Sequence, residues 1–102
     1  MFFNVLKAKD IVELKGDTKF EKEVLLTNAE SSLSVVALKR GEIIDTHTST
    51  RDAGVYVLDG EIEIHFDAEK FKIDKGEILL FKKDREHKVL ANKDSKFMLI
   101  KI

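Results

Sequence analysis

The stretch Glu61-Ile62-Glu63-Ile64-His65-Phe66 alternates polar and apolar residues at period two, the pattern of a β-strand with one face buried and the other in water. It belongs to a series. From Ser31 onward, short apolar or alternating runs are separated by clusters of Gly, Asp, Asn and Lys at the spacing of consecutive strands. The clearest are residues 33–38, 55–58, 61–66, 71–73, 78–81, 88–90 and 97–102, so the sequence reads as all-β. Asp67-Ala68-Glu69-Lys70 joins two of these runs as a hairpin. Toward the N-terminus, residues 21–26 carry a weaker strand pattern, and residues 7–14 fit either a helical turn or an edge strand.

At 102 residues the chain is expected to form one domain, residues 1–102, burying roughly two-thirds of the surface it exposes when unfolded. Its 18 Lys and Arg balance 19 Asp and Glu, and the net charge of −1 leaves no basic excess for a nucleic-acid partner. Cysteine is absent, which excludes a disulfide framework, a thiolate zinc site and a cysteine nucleophile together. Met1-Phe2-Phe3 meets Lys7, Lys9 and Asp10 before a signal-peptide stretch develops, and no later run approaches a membrane span. A cytoplasmic location without a membrane partner is the expectation.

Three runs, residues 55–58, 78–81 and 97–100, are apolar on both faces, and one barrel interior cannot bury all of that surface. A homodimer is therefore expected, unless the first thirty residues cover the outer face. Tyr56 and Leu58 share the face opposite Val55 and Val57, where an aromatic side chain packs. Gly41, Gly60 and Gly76 mark turns, and the mixed-sign run Lys82-Lys83-Asp84-Arg85-Glu86 reads as a solvated turn.

Two segments carry more than strand pattern. Residues 41–61, with Gly41, His47 and Gly60 in register, resemble the first cupin motif: a glycine, five residues, His-x-His, three or four residues, Glu, six residues and a glycine. Ser49 stands where the second His belongs and Ala53 where the Glu belongs, with Asp52 one place early. Residues 76–92 resemble the second motif, with Gly76 and His87 in register. Lys82 and Asp84 replace its Pro and Gly, and Ala91 its Asn, with Asn92 one place late. The resemblance covers residues 33–102 and implies a double-stranded β-helix, the jelly-roll barrel of the cupins. It looks closest to small cupins carrying His-Thr-Ser, and it does not fix an activity, because the fold hosts enzymes and ligand-binding modules alike.

The resemblance implies that His47 and His87 point inward at one mouth of the barrel, with Ser49 beside them as a third ligand-binding residue. Two imidazoles make half a metal site, since the metals cupins use need three or four protein ligands. His47 and His87 would hold a divalent transition metal only weakly. Asp45 and Asp52 are candidate additional donors, but on an alternating strand the one-residue offset turns Asp52 away unless a bulge realigns it. His65, in step with Glu61 and Glu63, belongs on the solvent face. Two functions follow: a small-molecule-binding or regulatory cupin with an incomplete metal site, or a metal-dependent oxygenase or isomerase acting on a small polar metabolite.

Overall fold

Period-two alternation turns such runs into sheets with one dry face, and two dry faces must meet. In the computed structural model, which describes residues 3–102, a short 3-10 turn at Ala8–Asp10 precedes the strands. Among the described residues the strands are β1 (Phe20–Asn28), β2 (Ser31–Leu38), β3 (Ile43–Thr48), β4 (Ala53–Asp59), β5 (Glu61–His65), β6 (Lys70–Asp74), β7 (Ile78–Phe81), β8 (Glu86–Ala91) and β9 (Ser95–Lys101). They form a five-stranded sheet in the order β1-β2-β9-β4-β7 and a four-stranded sheet in the order β3-β8-β5-β6. Every pairing is antiparallel. The chain crosses repeatedly from one sheet to the other, which gives the all-β jelly-roll barrel that the motifs imply.

The core lies where the inner faces meet. Val36, Leu38, Val55, Val57 and Phe97 project from one sheet, and Ile62, Ile64, Ile73, Val89 and Ala91 from the other. Each large apolar side chain so buried stabilises the fold by about 1.5–3 kcal/mol relative to exposure.

Residues 7–14 take the helical turn rather than the edge strand. Their apolar side chains Ile11, Val12 and Leu14 cover Val35 and Ala37 on the outer face of the five-stranded sheet, beside Leu58 and Met98. The cover is partial. Ile78, Leu80 and Ile102 stay exposed on the same face. Strand β3 had no counterpart among the sequence runs because Asp45-Thr46-His47-Thr48 is polar, and a register shift between Ile44 and His47 breaks its alternation.

The β4–β5 connection turns on Gly60 at φ +86°, and a Cβ there would stand 2.5 Å from the Asp94 carbonyl oxygen. The reason is local packing: Ser95 comes up against the turn to accept the Glu61 N–H while donating to the Lys93 carbonyl. Gly41 has nearly the same φ, +84°, but open space around it. Gly41→Ala should therefore cost about 1–2 kcal/mol, the left-handed penalty alone. Gly60→Ala should cost about 3 kcal/mol or more, because strain and collision add. Urea unfolding of the two variants measures the difference, and equal losses would show that the Ser95 contact is not constraining.

Candidate functional site

Pairing of β3 with β8 sets His47 directly opposite His87. Opposed residues of an antiparallel pair project from the same face, and the two rings meet edge to face with centroids 4.2 Å apart and planes at 61°. His47 Nδ1 lies 3.0 Å from the Asp45 carbonyl oxygen, and His87 Nδ1 lies 2.8 Å from that of Arg85. A carbonyl oxygen only accepts, so each Nδ1 carries the proton and donates it, and in the neutral ring each Nε2 keeps a lone pair. The same backbone contact, two residues upstream, thus fixes both tautomers.

The two histidines line a cavity of about 300 Å³ whose walls are Val36, Val55, Val89, Phe97 and Leu99 and whose rim carries Phe20, Lys22, Asp45 and Lys101. His87 is 4% exposed, with Phe81 at 4.8 Å and Phe66 at 5.8 Å between ring centroids. Burial pushes the His87 imidazole below its ordinary pKa, against the hydrogen bond to Arg85, and the nearby charges of His47 and Lys101 push the same way. His47, nearer the rim, is half-buried.

The remaining motif positions go elsewhere. Ser49 is buried, but its hydroxyl donates to the Arg51 carbonyl at 2.8 Å and accepts the Arg51 N–H at 3.1 Å, and it is not part of the cavity wall. Asp52 points away from the cavity, where it accepts the Lys83 N–H at 2.9 Å and Lys82 Nζ at 3.4 Å. The Lys83 N–H above all holds its carboxyl below the usual carboxylate range. Asn92 donates to Glu61 and Glu63, and His65 pairs with Glu63 at 2.8 Å, both away from the cavity.

Ala53, at the inward position the motif gives to Glu, has Lys101 as its cross-strand neighbour on β9. Among the described residues no group of three or more His, Cys, Asp and Glu is placed to hold a metal ion. Two imidazoles facing an ammonium group do not fit a resident transition metal, which takes three or four protein donors and is repelled by a fixed positive charge. Sequence reasoning missed Lys22 and Lys101. For Lys101 a signal existed, since counting in twos from Phe97 through Leu99 lands on it; for Lys22, on a strand with a weak pattern, none did.

Comparison with known proteins agrees with the geometry. The family model described as a cupin domain matches residues 34–102, and the chain belongs to that family. Solved structures with the same fold include a conserved protein of unknown function from Streptococcus pyogenes, with a TM-score of 0.90 at 24% identity over 100% of this chain and 89% of that one. A cupin superfamily protein from Desulfitobacterium hafniense gives 0.89 at 18% identity, over 97% of this chain and 90% of that one. A cupin 2 conserved barrel domain protein from Leptotrichia buccalis gives 0.84 at 29% identity, over 98% of this chain but 47% of that one. No curated protein matches the chain in sequence.

The lowered pKa of His87 has a definite sign in stability. Below its ordinary value of 6.5 the unfolded chain takes up the proton first, so acid favours unfolding. The His87 contribution should be complete above about pH 6.5, shrink as the pH falls toward the folded value, and level off below it. The depressed carboxylates Asp52, Glu61 and Glu63 act in a separate, lower window. Urea midpoints measured across both ranges should show the upper step in the wild type and lose it in His87→Gln; an unchanged step in the variant would assign it to another group.

Proposed function

We propose that this cupin is a small-molecule-binding or regulatory domain rather than a metal-dependent enzyme. One observation carries the reading: two imidazoles of fixed tautomer, with both Nε2 lone pairs unengaged among the described residues, stand on an apolar cavity of about 300 Å³. A cavity of that size suits a compact metabolite. Its walls take an apolar body, and its few polar groups fix orientation. An oxygenase or isomerase working through a metal is not favoured, because the donor set stops at His47 and His87. Neither does a carboxylate orient either imidazole for proton transfer, since backbone carbonyls occupy both Nδ1 positions.

We also infer a homodimer formed through the outer face of the five-stranded sheet. Ile78, Leu80, Ile100 and Ile102 surround Gly54 there, beyond the reach of residues 11–14. The absence of a side chain at Gly54 leaves an apolar hollow of about 340 Å³ in the patch, into which a side chain of a second copy can pack. Among the described residues no helix is long and apolar enough to cross a membrane, and the cysteine-free composition suits the reducing cytoplasm, where we place the protein.

Two measurements test these readings. Thermal-shift screening against small organic acids, polyols and amides should yield compounds that raise the melting temperature of the wild type by mass action. His47→Ala and His87→Ala should each weaken those hits roughly ten-fold. If every hit binds both variants as well as the wild type, the cavity is not the binding site. Light scattering at micromolar concentration should give twice the 11.7 kDa chain mass, and Leu80→Glu should give the chain mass with an unchanged fold. A wild-type monomer at that concentration would rule out the dimer.

A further inference from the structure

Strand β9 places its inner residues in a line: Phe97 in the core, Leu99 on the cavity wall, Lys101 at the rim. Lys101 is fixed in this direction from both sides, since Ser32 opposes it on β2 and Ala53 on β4. Ala53 is too small to compete with its stem. On β1, at the edge of the same sheet, Lys22 also lines the cavity. Against these two ammonium groups stands one carboxylate, Asp45, which is exposed and accepts the Thr46 N–H at 2.7 Å. Neither lysine has a carboxylate within 4.0 Å among the described residues. The mouth of the cavity is therefore cationic, and its lysines lack an internal counter-charge.

Deeper in, the polarity reverses in kind. The Nδ1 protons of His47 and His87 are spent on backbone carbonyls, so the two Nε2 atoms offer lone pairs and call for a hydrogen-bond donor. A simple anion satisfies the lysines and leaves the imidazoles facing an acceptor. A neutral polyol satisfies the imidazoles and leaves the ammonium groups unmatched. A molecule carrying both an anionic group and a hydroxyl on a short apolar body matches the charge of the lysines and supplies a donor to the imidazole pair.

Resting on the reading of the cavity as a ligand site, we infer that it binds a small hydroxycarboxylate, its carboxylate on Lys101 with Lys22 nearby and its hydroxyl donating to the Nε2 atom of His47. Lys101 then supplies, as a covalently held cation beside Ala53, the positive charge to which the ligand's oxygens are drawn. Charge-assisted contacts of this kind are the stronger class of hydrogen bond. Burial, together with the charge of Lys22, holds the Lys101 ammonium below its ordinary pKa, so an incoming anion relieves a charge that its surroundings solvate poorly.

The probes are 2-hydroxyisovalerate, isovalerate, which lacks the hydroxyl, and 2-hydroxyisovaleramide, which lacks the charge. Each is titrated into the full isotope-labelled chain at about pH 8, above the ordinary imidazole range, and followed by NMR. Hydroxyisovalerate should shift cavity resonances, and bind roughly ten-fold more tightly than either control. Lys101→Met should abolish the preference over the amide while leaving the preference over isovalerate, and His47→Ala should do the opposite. Equal binding of the acid and its amide to the wild type, which needs no variant to fold, would overturn the inference while leaving the cavity as a ligand site. Retention of the charge preference in a folded Lys101→Met would also overturn it. If all three probes leave the cavity resonances unmoved, the inference fails, and the screen of organic acids, polyols and amides decides the broader reading separately.

Discussion

Strand β9 is hydrogen-bonded along both edges, to β2 and to β4, and most of the molecule takes its bearings from that double pairing. Because side chains alternate, a slip of one residue would exchange its two faces at once. Phe97 and Leu99 would leave the interior, and Met98 and Ile100 would enter it. Two partner strands in register make that exchange costly. The same constraint that places Phe97 in the core carries Lys101 to the rim, so the charge in the cavity follows from the register that builds the core.

Strand β5 was legible because its burial alternates with its sequence, at Ile62 and Ile64 against Glu61 and Glu63, whereas β4, β7 and β9 were legible as short apolar runs between turn residues. The convergence of His47 and His87 was legible only through the motif spacing, since no local pattern joins residues forty positions apart. Strand β3 was not legible as a run. Past Ile44, which packs on the core, its inward position His47 faces the cavity, so the polar stretch carries no dry-face pattern. Ser49 shows the limit of a motif: its position matched, but its hydroxyl is used by the adjacent turn at Arg51. Chain composition concealed the cationic mouth. A net charge of −1 says nothing about where Lys22, Lys101 and Asp45 stand relative to one another.

The contrast between Asp52 and Lys101 condenses the chemistry of the site. The carboxylate nearest the expected ligand position turns outward to the Lys83 N–H, and a lysine occupies the inner face beside Ala53. Coulomb interactions in a partly dry cavity are several times stronger than in water, so this exchange of sign has large effects on which solutes enter. The histidine pair is compatible with either sign. It is the surrounding charge that selects.

The pairing of β2 with β9 also bears on how the protein acquires its structure. Leu33 lies beside Ile100, and Ser32 beside Lys101, so the central seam of the larger sheet joins segments far apart along the chain. Hairpins such as β1–β2 and β5–β6 can form early from neighbouring residues, but the seam requires closing a long loop before its contacts repay the lost entropy. Refolding should accordingly be slow for a domain of this length. During synthesis the barrel stays open until β9 has left the ribosome, and until then the edge of β2 that will receive it is available to other chains.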